Sequence, residues 1–108
     1  MKKMTPDPIK QDPLITDGDK YSVVFENERV RVLRYHDQPG DKTLPHFHPD
    51  YVLYAESSFK RRLTFADDKK VEVDVKAGSV VWMKGHTHIG ENIGDTNTEV
   101  IIVELKEN

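Results

Sequence analysis

The stretch Gly40-Asp41-Lys42-Thr43-Leu44-Pro45-His46-Phe47-His48 places two histidines two residues apart, after a turn signal and a proline. Side chains at positions i and i+2 of an extended segment point to the same side. The imidazoles of His46 and His48 can therefore reach one common point above a strand. Neutral imidazole is the commonest nitrogen donor for protein-bound transition metals. The spacing predicts a pair of metal ligands on one face of a strand.

The residues on either side of this stretch follow β-strand patterns. Val30 and Val32 alternate with arginines, and Val71, Val73 and Val75 alternate with acidic residues, which is the period of a half-buried strand. No segment shows three turns of helical periodicity. Eight or nine short strands at roughly 8–12-residue spacing predict an all-β sandwich or barrel, of the kind that jelly rolls close.

The composition excludes several classes of function. Net charge is −3 and both signs are interspersed among the 108 residues, so the chain lacks the basic stripe of a nucleic-acid-binding protein. There is no cysteine, which excludes disulfides and thiolate chemistry. No apolar run approaches the roughly 18 residues that span a membrane. The first residues lack the apolar core of a secretory signal, so we expect a cytoplasmic protein with no membrane partner.

The chain divides into two parts. Residues 1–19 contain three prolines among charged residues and end in a turn signal, Asp17-Gly18-Asp19. We expect an arm that is either flexible or packs on a neighbouring subunit. Residues 20–106 form the barrel domain. A core this small gains from burying more apolar surface in a partner, so we expect a homodimer to which the arm or an edge strand contributes.

A second pair of histidines, His86 and His88, follows the continuous apolar run Val80-Val81-Trp82-Met83. Such a run is typical of a strand that is buried on both faces. The fifth histidine, His36, lies in a polar stretch without a histidine partner. We interpret His36 as an ordinary surface residue.

Two segments resemble the two motifs of the cupin family. Residues 40–48 resemble the first motif, which is a glycine, five residues and then His-x-His. Residues 78–83, followed by His88 and Asn92, resemble the second motif, and about 30 residues separate the two segments. The resemblance covers about residues 20–105. It implies a jelly-roll β-barrel with a metal inside it, held by His46, His48 and His88.

The sequence departs from the cupin pattern in two places. The family usually supplies a glutamate shortly after the second histidine, where this chain has Tyr51 and Val52. Tyr51 remains a weaker candidate ligand as a phenolate, and Asp50 is the nearest carboxylate. The second motif has Lys84 in place of its usual proline and is one residue short. His86 is therefore a possible substitute ligand, or lies at the rim of the site.

Within the cupins, residues 48–54, 88–95 and 103–105 resemble a subgroup of very small single-domain proteins of the conserved-barrel type. Some members of that subgroup are named for beta-alanine degradation, which implies a context in amino-acid catabolism and not a particular reaction. Three histidines leave coordination positions open, as in catalytic metal sites. The resemblance to three-histidine cupin dioxygenases favours one Fe(II) per chain, with zinc, nickel and manganese as alternatives.

The expected function is that of a metal-dependent enzyme, dioxygenase- or isomerase-like, that acts on a small organic molecule. A non-catalytic cupin that binds or senses a small molecule is the alternative. We expect the pocket to be lined by aromatic side chains and a valine. They are Phe47, Tyr54, Phe65, Val80 and Trp82. Tyr54, Glu91 and Tyr51 are the candidates for an acid or base.

The first testable prediction concerns the ligand set. His48→Ala removes one of three protein ligands, so the metal affinity should fall steeply. A metal at about 100 times its dissociation constant adds about 2.7 kcal/mol to the free energy of unfolding, and the variant should lose that increment in a thermal-shift titration. His36→Ala is the matched control and should change neither quantity. A His48 variant that holds metal as tightly as the parent would contradict the assignment.

Overall fold

The structure, a computed structural model, describes residues 9–107. One short helix precedes nine strands. They are α1 (Pro13–Thr16), β1 (Tyr21–Glu26), β2 (Val30–Asp37), β3 (His46–His48), β4 (Tyr51–Ala55), β5 (Phe59–Phe65), β6 (Lys70–Val75), β7 (Val80–Met83), β8 (His86–Asn92) and β9 (Thr98–Leu105). No helix in this range is long and apolar enough to cross a membrane.

The strands form two antiparallel sheets. One has five strands in the order β1-β2-β9-β4-β7, and the other has four strands in the order β3-β8-β5-β6. β1-β2 and β5-β6 are hairpins of consecutive strands, whereas the other neighbours in each sheet come from distant parts of the chain, as in a jelly roll. The expectation of an all-β barrel is confirmed. The alternating valines of β6 face the other sheet, as the sequence pattern predicts, and β6 and β7 are edge strands of their sheets.

The core lies between the two sheets and consists of the inward side chains of both. Its buried apolar members are Tyr21, Leu33, Tyr35, Tyr51, Ala55, Phe59, Val100 and Ile102. In the five-stranded sheet these residues come from three adjacent rows of cross-strand neighbours. The same rows carry Arg31 and Glu104, two charged residues that also face inward.

The described part of the predicted arm, residues 9–19, packs on its own chain. Asp12 caps the N-terminus of α1 by accepting a hydrogen bond from the Leu14 N–H at 2.9 Å, and Pro13 is buried at the first helical position. The Phe47 N–H donates to the Gln11 carbonyl at 2.8 Å, so this segment lies alongside β3. Residues 1–8 of the predicted arm lie outside the described range.

A buried polar network joins the two sheets around Arg61. Its Nη1 donates to the Asp37 carboxylate at 2.6 Å, and its Nη2 donates to the Tyr35 hydroxyl at 3.0 Å. Tyr35 in turn donates to Asp37, and the Asn92 amide donates to the second oxygen of the same carboxylate at 3.1 Å. Although burial opposes ionisation, Arg61 helps to hold the pKa of Asp37 below its usual value. The buried charges are therefore paired.

Gly90 provides the space for this network. A Cβ atom at position 90 would lie 2.6 Å from Arg61 Nη2 and 3.2 Å from Arg61 Nε. The guanidinium cannot withdraw without leaving Asp37 buried and unpaired. The second motif therefore supplies both a metal-ligand candidate and a glycine that admits a buried arginine.

Gly90→Ala should lower the free energy of unfolding by roughly 1–3 kcal/mol, because overpacking of a fixed core group carries a cost of that size. Urea unfolding of metal-free protein, followed by circular dichroism, measures the loss. A midpoint equal to that of the parent would show that the guanidinium has room to move.

Candidate metal centre

The antiparallel pairing of β3 with β8 brings the two His-x-His segments together. His46 lies opposite His88, and His48 lies opposite His86. The candidate ligand nitrogens of His46, His48 and His88 all lie within 4.8 Å of one another. The three side chains are buried, with exposures of 1%, 1% and 6%. The structure therefore assembles the three histidines that the sequence singles out.

Hydrogen bonds at Nδ1 orient the first two imidazoles. His46 Nδ1 lies 2.8 Å from the Leu44 carbonyl, and His48 Nδ1 lies 2.7 Å from Glu104 Oε2. Both acceptors require the proton on Nδ1, which leaves a lone pair on each Nε2. Both Nε2 atoms face the hydroxyl of Tyr21, at 3.2 and 3.3 Å. This tautomer is the one that a metal ion requires.

His86 orients His88 and does not join the cluster. Its Nδ1 lies 2.6 Å from the Lys84 carbonyl, and its Nε2 lies 2.6 Å from Nδ1 of His88. When His86 donates to Lys84, its Nε2 accepts from His88, and His88 in turn keeps a lone pair on Nε2. In this structure His86 is therefore placed to orient His88 through a hydrogen bond, and it lies outside the group of three ligand candidates.

Burial keeps the imidazoles of His46 and His88 neutral. It lowers the pKa of His46 to about 3, and the neighbouring His48 adds to the effect. Burial likewise lowers the pKa of His88 well below 6.5, helped by the other histidines. Neutral imidazole is the ligating form, so at neutral pH a metal ion does not have to displace protons from these two side chains.

The chemistry of these donors fits a divalent transition metal. Three neutral nitrogens suit iron, zinc, nickel or copper better than magnesium or calcium, which prefer oxygen. Among residues 9–107, no aspartate or glutamate joins the three histidines. Asp50, the nearest carboxylate in the sequence, instead accepts a hydrogen bond from the Gly85 N–H at 2.7 Å.

Tyr51 and Val52 occupy opposite faces of β4. The ring of Tyr51 points inward and lies 4.9 Å from the ring of His48, whereas Val52 lies on the outer face. Burial raises the pKa of Tyr51 above its usual value of 10. In the metal-free chain the side chain is therefore a neutral phenol at physiological pH, and it faces the site.

Two functional residues were missed by the sequence analysis. Tyr21 opens β1 and places its hydroxyl between two ligand nitrogens, 25 and 27 positions away in sequence. Glu104 fixes His48 from 56 positions away and is held in turn by Arg31, whose Nη2 lies 2.8 Å from Glu104 Oε1. Arg31 also pairs with Asp12 at 3.0 Å. No local pattern marks either residue, because both act through strand pairing.

A cavity of about 200 Å³ lies beside the histidines, between the sheets. Its polar lining consists of the three histidines, Arg61, Thr98 and the hydroxyl-bearing rings of Tyr21, Tyr35 and Tyr51. The rest is apolar and comes from both sheets. Those residues are Leu53, Phe59, Leu63, Val73, Val75, Val81, Met83, Val100 and Ile102. The cavity therefore combines a nitrogen-rich wall with an apolar body.

The predicted pocket residues do not line this cavity. In β4 and β7 the alternate residues, such as Leu53, Val81 and Met83, face inward. Tyr54 and Trp82 therefore lie on the outer face, 45% and 56% exposed, together with Val80. Phe47 points away from the cavity. Phe65 lies at the rim, with its ring 5.2 Å from that of His86.

The candidates for an acid or base are also outside the cavity, apart from Tyr51. Glu91 pairs with Arg62 at 3.3 Å on the outer face of the four-stranded sheet. Tyr54 lies on the outer face of the other sheet. Tyr51 lines the cavity, and so does Tyr21, whose hydroxyl lies 3.2 and 3.3 Å from Nε2 of His46 and His48.

Glu104→Gln should weaken metal binding about 10–100-fold, the usual range for loss of a group that orients a ligand. The glutamate has two charged acceptor oxygens, one for His48 and one for Arg31, whereas the glutamine amide has only one, uncharged, acceptor oxygen. Calorimetric titration with Zn(II) or Ni(II) measures the change. Glu99→Gln, on the same strand but facing outward, is the control. Equal affinities in the Glu104 variant and the parent would show that His48 needs no anchor.

The metal-free protein should lose stability as the pH falls below about 6.5. Unfolded histidines take up protons near that value, whereas folded His46 does so only near pH 3. Between these values the unfolded chain binds more protons, so acid favours unfolding, by about 1.4 kcal/mol per pH unit for each such histidine. Urea unfolding at pH 7 and pH 5 should show the loss. His88→Gln should reduce the slope and His36→Gln should not; equal slopes in all three proteins would refute this origin.

No protein-family model and no curated protein sequence matches the chain. Solved structures do. A cupin domain from Bordetella pertussis Tohama I is 27% identical, with a TM-score of 0.73 over 81% of this chain and 92% of that one. An RmlC-like cupin with a double-stranded β-helix fold, from Methanocaldococcus jannaschii, is 17% identical, with a TM-score of 0.63 over 79% and 77% of the two chains.

A third similar structure belongs to a polyketide cyclase, RemF, from Streptomyces resistomycificus. It is 18% identical and has a TM-score of 0.62 over 99% of this chain and 80% of that one. At identities this low the likeness concerns the fold. The strand order, the jelly-roll topology and these neighbours agree: the chain has the double-stranded β-helix fold of cupin domain proteins, with three histidines placed to bind a metal ion.

Proposed function

We propose that the protein is a metal-dependent enzyme whose substrate is a small organic acid, with dioxygenase-like chemistry favoured. The observation that carries the proposal is the ligand set: three buried histidines with no carboxylate ligand among the described residues, beside a small, largely apolar cavity. Such a set leaves coordination positions for an exogenous ligand.

The charge balance favours an anionic substrate. A divalent ion held by three neutral imidazoles keeps its full charge of +2. Four charged side chains near the histidines form two pairs, Arg61 with Asp37 and Arg31 with Glu104, so neither pair supplies a spare negative charge. Asp17, whose Oδ2 lies 3.6 Å from His46 Nδ1, would offset at most one of the two positive charges. In a buried site an uncompensated charge is costly. A carboxylate or enolate oxygen from the substrate would supply the remaining compensation.

The cavity limits the size of that substrate. Its volume of about 200 Å³ corresponds to roughly seven waters at about 30 Å³ each. An acid with a short apolar body would place its oxygens near the histidines and its carbon atoms against Leu53, Val81 and Met83. Such acids arise in amino-acid catabolism, and we retain the beta-alanine context suggested by the sequence resemblance as part of the proposal.

The side chains of the cavity favour oxidative chemistry over proton abstraction. Burial raises the pKa of Tyr21, Tyr35 and Tyr51, so these hydroxyls remain protonated and act as hydrogen-bond donors. Among the described residues, no aspartate or glutamate lines the cavity, where a general base would have to stand. When bound, an iron ion would supply Lewis acidity and access to dioxygen chemistry. Tyr21 would orient or protonate an oxygen at the site, and the apolar wall would exclude water.

The lack of a base also supports a second candidate, a cupin that binds or senses the same acid without turnover. The enzyme and the sensor both require the three histidines, and they differ only in whether the bound acid is converted to a product. A general-base isomerase has less support, because it would need an acceptor that the described cavity does not contain.

The test begins with protein purified without a histidine tag and analysed for metals. Protein reconstituted with Fe(II) is then offered a panel of short carboxylic acids and their matching amides, and binding and oxygen uptake are recorded. We expect acids to bind at least tenfold more tightly than amides, and only when metal is present. Oxygen uptake with product formation identifies the enzyme. Tight, metal-dependent binding without turnover, whether the protein is loaded with iron, zinc, nickel or manganese, identifies the sensor. Metal-independent binding, or equal affinity for amides, would overturn both.

A further inference from the structure

Arg61, Tyr35 and Thr98 give the cavity a second group of polar side chains besides the histidines. All three line the cavity, whereas Asp37, the carboxylate that pairs with Arg61, does not. The buried network around Arg61 therefore turns its cation toward the cavity and keeps its anion away from it. We call Arg61, Tyr35 and Thr98 the polar end of the cavity.

The polar end lies about one strand repeat away from the histidines. His88 and Gly90 are two residues apart on β8 and share a face of the strand. The guanidinium of Arg61 packs over Gly90, where a Cβ atom would lie 3.3 Å from Cζ. Two residues of a strand span roughly 7 Å. The rings of Tyr21 and Tyr35, with centroids 4.6 Å apart, bridge this span, with one hydroxyl at the histidines and the other at Arg61.

The guanidinium of Arg61 has hydrogen-bonding capacity that the protein does not use. Its Nη1 donates to Asp37 at 2.6 Å and to Thr98 Oγ1 at 3.3 Å, and its Nη2 donates to the Tyr35 hydroxyl at 3.0 Å. A guanidinium carries five N–H groups, so within residues 9–107 these bonds leave the Nε–H and one Nη2–H without an acceptor. No fully buried side-chain nitrogen or oxygen of the described residues lacks a partner, so Nε is accessible to another molecule.

The charge of the polar end is already balanced. Arg61 pairs with Asp37, and the hydroxyls of Tyr35 and Thr98 carry no charge. A second carboxylate placed here would bring an unpaired negative charge into a buried site, which is costly. The unused N–H groups therefore suit an uncharged acceptor. A carbonyl oxygen has two lone pairs and can accept from both of them.

We propose that the polar end binds an uncharged carbonyl oxygen of the substrate, which makes the substrate a short oxo acid. This inference rests on the proposed function, in which the carboxylate of the acid lies near the histidines. A carbonyl on the fourth carbon of the chain places its oxygen roughly 5 Å from the carboxylate, which fits the span of roughly 7 Å once hydrogen-bond lengths are included. The guanidinium is held by its bond to Asp37, so the donors are in place before the substrate arrives.

Three ligands of similar size test the proposal on zinc-loaded parent protein, in which no oxidation of the metal interferes. They are 4-oxopentanoate, pentanoate, which lacks the carbonyl, and butanedioate, which carries a second carboxylate at the same spacing. Calorimetry should show that 4-oxopentanoate binds at least tenfold more tightly than either of the others, because unused donors reject an analogue that cannot accept from them and a charged acceptor is not compensated.

The outcomes separate this proposal from the proposed function. Equal affinities for 4-oxopentanoate and pentanoate would overturn the carbonyl site and leave the metal-bound acid intact. Tighter binding of butanedioate would overturn the uncharged acceptor. A zinc-loaded protein that binds none of these acids would overturn both the oxo-acid proposal and the function on which it rests.

Variants identify the donor. Arg61→Lys keeps a cation for Asp37 but removes the fork of N–H groups, so the preference for 4-oxopentanoate over pentanoate should fall at least fivefold, while the affinity for pentanoate should stay within threefold of the parent. Should Arg61→Lys fail to fold, Arg61→Met combined with Asp37→Asn removes both charges together and leaves neither unpaired.

Arg62→Lys is the matched control, because Arg62 follows Arg61 in sequence and pairs with Glu72 and Glu91 on the outer face. Its preference for 4-oxopentanoate should equal that of the parent. A purely structural role of Arg61 would lower the stability of its variants and leave their ligand preference unchanged. That result in a folded Arg61 variant would overturn the proposal, and if neither variant folds, the three affinities of the parent decide it.

Discussion

The pairing of β3 with β8 is the contact on which the candidate metal centre depends. It sets His46 against His88 in register, and a slip by one residue would turn every ligand to the opposite face. β3 is only three residues long, so its few hydrogen bonds to β8 do little by themselves to fix the register of the pair. The flanking residues 11–17 compensate: the Gln11 carbonyl accepts from Phe47, and Asp17 accepts from the Leu44 N–H at 3.1 Å. The segment expected to be a separate arm thus belongs to the framework of the site.

The ion pairs behind the histidines extend that framework. Asp12, Arg31, Glu104 and His48 form a continuous chain of charged contacts from the cap of α1 to a candidate ligand. Each member lies on a different element, so the orientation of one imidazole depends on how several segments pack. In a buried network of this kind, each polar group depends on its neighbours for its hydrogen bonds. The network therefore favours one arrangement of the segments, and a single substitution can disrupt it.

Local spacing was sufficient to predict the strands and the pair of His46 and His48, because both are period-two features, whereas His88 was singled out by the resemblance to the second cupin motif. It could not predict which face of β4 or β7 points inward. Val80-Val81-Trp82-Met83 is apolar at every position, so parity carries no information there, and the aromatic residues were assigned to the wrong side. Tyr21, Glu104 and Arg61 were out of reach for another reason: their roles depend on pairing between segments that are distant in sequence. The outer face of the five-stranded sheet carries apolar side chains as well, with Tyr54, Val80 and Trp82 exposed, so hydrophobicity alone does not distinguish its two faces.

The two sheet edges beside the cavity have a consequence for how ligands enter. Val73 and Val75 lie on β6 and Val81 and Met83 on β7, and all four line the cavity. In the described chain β6 pairs only with β5, and β7 pairs only with β4. No backbone ladder joins β6 to β7, so the two edge strands can separate without the loss of a ladder hydrogen bond. The barrel therefore has a seam between β6 and β7 that no backbone ladder closes, so local motion of these edges can widen it while both sheets, and the histidines they align, stay intact.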